Sequence, residues 1–175
     1  VRVVRDRRIG WVGVAVILSL ASLTIAFAPG RSPVQAVEGP EAAGIDARTA
    51  EEARTELRRE FLRLTNEDRA EHDRRELRLA QLVSRYATRH SGEMADAGRI
   101  FHSSEDELRQ ALAGVDWSYA GENVGVGSSL ENLQGAFMAS PDHRANVLRR
   151  PYDHAAVGVV VARDRVWVTV VFYGD

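Results

Sequence analysis

The sequence predicts an α+β domain carried behind a separate N-terminal segment, and three observations lead there. Between residues 49 and 97 apolar residues recur every three or four positions, the period of an amphipathic helix. The chain closes on two apolar runs, 157–162 and 166–173, joined by Arg163-Asp164, a link of hairpin length. Ahead of both, Ile9 to Ala28 form a 20-residue stretch without a charge, preceded by Arg2, Arg5, Arg7 and Arg8.

That first stretch reads as an export signal or a membrane anchor. Twenty apolar residues are enough to span a bilayer, whereas the core of an ordinary signal is shorter, roughly 7–15 residues. Val34-Gln35-Ala36 offers small residues where a signal peptidase reads, and cleavage before Val37 is the favoured outcome. Cleaved or not, the following domain is expected outside the cytoplasm, because a basic flank stays inside. Any membrane contact would then run through an uncleaved N-terminal segment alone. The expected organisation is a signal or anchor over 1–36, a linker of Gly, Pro, Ala and Glu over 37–48, and one domain over 49–175.

Composition narrows the function classes. There is no cysteine, which removes a disulfide framework and any thiolate metal site. All 23 basic residues are Arg; past residue 36 there remain 18 of them against 24 acids, a formal charge of −6. A body of that charge argues against a nucleic-acid partner. Arg144, Arg149 and Arg150 suit the end of a helix, where cations favour its dipole.

Taken in order, Thr49 and Glu52 form a capping-box pair ahead of Ala53, Leu57, Phe61 and Leu64, which predicts a helix to about Arg69 with a charged outer face. A second helix is expected to about Ala97, with Leu79, Val83, Tyr86, His90 and Met94 on one stripe and Gly98 as its stop. His90 on that stripe reads as a hydrogen-bonded core residue, and His72 as a surface one. Ser103-Ser104 can cap a short helix through Leu112. Trp117 and Tyr119 read as packing residues, GENV (121–124) as a tight turn, and Leu130 to Ala139 as a helix. Gly125 and Gly127 lack the pattern of a phosphate loop and suit close backbone approach. Ser140-Pro141-Asp142-His143 has the form of a helix N-terminus, with Ser140 as cap and Pro first, so His143 falls in the first turn. Pro151 ends that helix. In the last strand Val166, Val168, Val170 and Phe172 face one way and Trp167, Val171 and Tyr173 the other. A strand apolar on both faces belongs in the middle of a sheet covered on both sides.

The segments HSS (102–104), GENV (121–124), SPDHRANVL (140–148) and the closing VGVVV and VWVTVVF, with LTNEDRA at 64–70, together resemble the CAP superfamily of cysteine-rich secretory proteins, antigen 5 and pathogenesis-related proteins. Within it they are most similar to a short, cysteine-free bacterial branch. The likeness covers about residues 56 to 175. It implies a three-layer α-β-α sandwich around a central, mainly antiparallel sheet, and a cavity with two His and two acids in which the His pair holds a divalent ion. Matched by motif, His102 and His143 stand at the metal positions, and Glu122 is one cavity acid. Ser140 falls where the second acid would be.

Two imidazoles and a carboxylate suit zinc or another borderline divalent ion. A closed four-ligand zinc site contributes about 10–16 kcal/mol to folding; with at most three ligands here, metal is expected to be optional for folding. A serine hydrolase with Ser140 as nucleophile, His143 as base and Glu122 as orienter lacks the GxSxG elbow and would need a hydroxyl already engaged in capping. The favoured expectation is therefore a secreted or surface-tethered, non-enzymatic binding module whose partner is a lipid or an envelope component. The alternatives are a metal-dependent hydrolase of peptides or envelope polymers, and a polar cluster that only braces the fold.

Overall fold

The structure is a computed structural model that describes the backbone of residues 2–5 and 40–175 and the side chains of 48–175. Its centre is the terminal hairpin. β4 (His154–Ala162) and β5 (Arg165–Gly174) pair antiparallel, from His154 opposite Tyr173 to Ala162 opposite Arg165. Arg163 and Asp164 make the two-residue turn, both at positive φ (54° and 57°), the conformation whose twist matches that of the flanking strands. β3 (Tyr119–Gly127) lies antiparallel along the other side of β5, with Glu122 opposite Val171. At the far edge the two-residue β2 (Arg78–Leu79) runs parallel to the start of β4. On the near edge β1 (Arg2–Arg5) pairs antiparallel with Tyr119–Glu122, which gives the order β1-β3-β5-β4-β2. The expected mainly antiparallel sheet is present, with β5 at its middle. The apolar run from Ile9 to Ala28 and the cleavage site at 34–36 lie outside the described residues.

Alternation along β5 sorts the helices into two layers. Val166, Val168, Val170 and Phe172 share a core with Phe61, Leu133, Phe137 and Val147, so α1 (Pro40–Glu71), α4 (Leu130–Ala139) and α5 (Pro141–Val147) cover that face. Val171 and Tyr173 pack with Val83, Leu108 and Leu112, and Trp167 with Met94. The opposite face is thus covered by α2 (Gln81–Ala97) and α3 (Glu105–Ala111). α2 lies so close that a Cβ at Gly158 would sit 2.1 Å from the carbonyl carbon of Ala87. Only glycine lets that helix meet the strand.

Local signals explain most boundaries. Gly98 takes the left-handed conformation (φ 66°) that closes α2, and its amide reaches back to Ala95. Ser104 and Glu107 form a complete capping box at α3. α1 departs from expectation, because its helix begins at Pro40, inside the stretch read as a linker, and runs past the proposed Thr49 cap. Pro suits a first helical position, and the Glu and Ala that follow are good helix formers. Its buried stripe is also rotated: Arg58, Phe61, Thr65 and Arg69 face inward, while Leu57 and Leu64 are only half-buried and Ala53 is exposed. His72 is half-buried, with Nδ1 2.7 Å from the Asp68 carbonyl, rather than a surface residue. His90 is core as expected, 2.9 Å from the Phe101 carbonyl and ring-packed against Tyr86 and Phe101.

Candidate functional site

Glu122 stands in the middle of a strand, not in a turn. The reason lies in the alternation of the segment: Gly121, Gly125 and Gly127 share the α4 side of β3, where a Cβ at Gly125 would meet Leu133 at 2.8 Å. The glycines admit α4 rather than bend the chain. Ala120, Glu122 and Val124 then share the α2–α3 side.

On that side Glu122 is wholly buried. Its Oε1 lies 2.7 Å from His102 Nδ1 and accepts from the Ser103 amide at 3.0 Å, while Ser103 Oγ donates a short hydrogen bond to Oε2. Tyr86 on α2 donates in turn to Ser103 Oγ. Both carboxyl oxygens are therefore committed to the protein, as burial of such a group demands. The bond to Nδ1 fixes the orientation of the His102 ring and turns Nε2 away from Glu122.

His143 comes from the other layer, in the first turn of α5. Its ring stacks on Phe137 of α4, with centroids 4.9 Å apart, and its Nδ1 is 2.8 Å from Ser140 Oγ. Ser140 holds the N-cap backbone position of α5 but makes no side-chain cap. The hydroxyl expected to cap the helix is bonded to the histidine instead, which makes Ser140 a site residue first. Two asparagines hold α5 to β3. Asn123 Nδ2 donates to the His143 carbonyl at 3.0 Å, and Asn146 Nδ2 donates to Asn123 Oδ1 at 3.0 Å and to the Glu122 carbonyl at 3.2 Å. The two histidines thus come from opposite layers of the sheet, His102 beside Glu122 and His143 beside Asn123. Ser140 pairs with His143 while Glu122 pairs with His102, so the Ser140–His143–Glu122 triad considered from sequence does not form.

Burial pushes His143 down to about 4, and nearby positive charge, that of His102 included, acts in the same direction. A histidine lowered in the folded state stabilises the fold in its neutral form. That contribution is complete above about pH 6.5 and is lost as the pH falls towards 4. In metal-free protein, His143→Gln is expected to flatten the fall in unfolding free energy over that window by on the order of 2 kcal/mol. Urea unfolding at a series of pH values reads it, and an unchanged slope would refute a buried, neutral imidazole.

Sequence reasoning missed Tyr86, Ser103, Asn123 and Asn146 as site residues. The signal for the asparagines was their place inside GENV and SPDHRANVL; for Tyr86 there was none, since it shares a stripe with core residues. Among the described residues no three His, Asp or Glu side chains converge as a metal-ligand group. Glu122, with both oxygens engaged by His102 and Ser103, is not left over as a metal ligand.

The model of the family described as CAP, cysteine-rich secretory proteins, matches residues 62–172. The chain is 28% identical over 108 residues to YkwD, an uncharacterized protein of Bacillus subtilis, a match over 58% of this chain and 42% of that protein. An extracellular protein of Bacillus anthracis containing an SCP domain superposes with a TM-score of 0.60 at 24% identity, over 81% of this chain and 45% of that one. A cysteine-rich secretory protein of Staphylococcus aureus gives 0.56 at 25% identity, over 70% and 39%. An outer surface protein of Borrelia burgdorferi gives 0.59 at 16% identity, over 68% of this chain and 92% of that one. The chain therefore spans less than half the length of the Bacillus and Staphylococcus proteins it matches.

Proposed function

Because this chain belongs to the CAP family of cysteine-rich secretory proteins, we propose that it is an extracellular bacterial binding domain, exported by its N-terminal segment and without catalytic activity of its own. Similar proteins described as extracellular or outer-surface support the location. The His102–His143 pair is its ligand-facing centre and takes a divalent ion, zinc by preference, through the two Nε2 atoms. One observation carries this reading: each imidazole is held by its Nδ1, one by Glu122 and one by Ser140, in the way that ligating histidines are oriented by a second hydrogen bond. A His143 held neutral by burial needs no deprotonation before it ligates. The partner we favour is a lipid or another envelope component, and the metal adjusts the site rather than the fold.

Native mass spectrometry of the chain as exported by a bacterial host tests the reading. Compared with the denatured mass, the native protein is expected to keep a lipid-sized excess. No excess, together with no binding to a lipid panel or to envelope fractions, would contradict it.

One observation favours a second reading. With each Nδ1 engaged, by Glu122 and by Ser140, two ligating histidines would leave coordination positions open, where bound water is acidified towards pH ~7. Peptide or envelope-polymer hydrolysis restored by zinc after chelation, and abolished by His143→Ala, would replace the binding module with a metal-dependent hydrolase.

A further inference from the structure

We infer that in the exported protein the outer edge of β3, at Tyr119–Glu122, is a docking site for an extended peptide segment of a partner, which adds to the sheet as a strand and points its N-terminal end at the His102–His143 pair. The inference rests on the export reading. Arg2–Arg5 occupy this edge as β1, in antiparallel register from Arg2 opposite Glu122 to Arg5 opposite Tyr119. The same four residues form the basic flank that export leaves on the cytoplasmic side or removes. A molecule that has been exported in either way has no β1, and its β3 edge presents the backbone groups that β1 satisfies here. An open row of strand donors and acceptors is a template for another strand, and peptide recognition by strand addition uses just such an edge.

The register defines what fits. Backbone pairing over four residues asks for a segment without proline. Residues directly opposite each other in an antiparallel pair share a face, so the partner residue opposite Glu122 lies on the α2–α3 side, beside the buried Glu122 carboxyl and His102. β1 has Arg at that register position, Val at the next two and Arg at the fourth. A cationic residue followed by aliphatic ones is the chemistry that we assign to the partner. Because β1 runs antiparallel to β3, continuing the partner beyond the Glu122 register leads along β3 towards Asn123, whose side chain holds the His143 carbonyl. The peptide thereby enters between the two layers that carry the histidines.

The test uses the full chain in mild detergent and a fluorescein-labelled peptide, Arg-Val-Val-Arg flanked by two glycines at each end, followed by anisotropy. Val3→Pro with Val4→Pro removes backbone donors from β1 and is expected to free the edge, so that this variant binds the peptide at least tenfold tighter than the unsubstituted chain. A peptide with Pro in place of both Val is expected not to bind either chain, and amide exchange at Tyr119–Glu122 should slow when the first peptide binds. If the double variant does not fold, the single Val3→Pro and Val4→Pro chains replace it. Equal weak binding by both chains, or equal binding of the Pro peptide, overturns the docking site. Terminal sequencing and amide exchange of the exported protein read the premise separately: loss of residues 2–5, or their retention with fast exchange at Tyr119–Glu122, together with no peptide binding refutes the docking site alone, whereas retention with slow exchange at Tyr119–Glu122 before any peptide is added refutes the vacated edge.

Discussion

Arg69→Met is expected to destabilise the protein by more than about 3 kcal/mol, enough to lower its thermal midpoint sharply or leave it insoluble. Arg69 is wholly buried, and its guanidinium bonds to backbone carbonyls only: Arg75 at 2.8 Å, Val147 at 2.6 Å, Arg149 at 3.2 Å and Tyr152 at 3.2 Å. Burial lowers it to about 10, with the charges of Arg74 and Arg75 adding to the effect, so the cation remains charged at neutral pH. Methionine of similar length fills the space but leaves four acceptors without a donor, and each buried acceptor left unpaired costs about 1–3 kcal/mol. Three of these carbonyls, those of Val147, Arg149 and Tyr152, belong to the end of α5 and the loop that follows it, so their release also loosens the helix that carries His143. Thermal unfolding by circular dichroism measures the effect; a midpoint within two or three degrees of the unsubstituted protein would show that water replaces the guanidinium at no cost.

Arg69 also shows where the sequence is legible and where it is not. LTNEDRA is visible as a motif, but its letters do not say that it is a latch. Asn66 exchanges two hydrogen bonds with the Leu77 backbone, Thr65 and Asp68 bond Gln134 on α4, and Arg69 reaches past residue 147. Such contacts join residues tens of positions apart, and no local period reports them. Local signals fared better. The αL glycine at 98, the capping box at 104–107, the bounds of α4 and the two apolar faces of β5 all follow from neighbouring residues.

Two expectations fail for physical reasons. Gly121 in GENV suggested a turn, yet the segment is a strand throughout; Gly125 and Gly127 serve the close approach expected of them, against Leu133 of α4. Ser140 suggested a cap, because Ser before Pro is a common helix start; the bond to His143 competes for the same hydroxyl and wins. His102, Glu122, Ser140 and His143 were each named from sequence, but the pairing of Glu122 with His102 was not. Which acid or hydroxyl holds which histidine depends on the layer each comes from, and β3 separates those layers.

His102 and His143 are proposed to bind one divalent ion between them. Calorimetric titration of zinc into the exported, metal-free chain tests it most directly. One equivalent is expected to bind, with His102→Ala/His143→Ala abolishing the heat. Glu122→Gln should weaken binding by about 10–100-fold, the usual cost of losing a carboxylate that orients a ligating histidine. Zinc bound equally well by the double-alanine variant, or not at all by the unsubstituted chain, would contradict the claim.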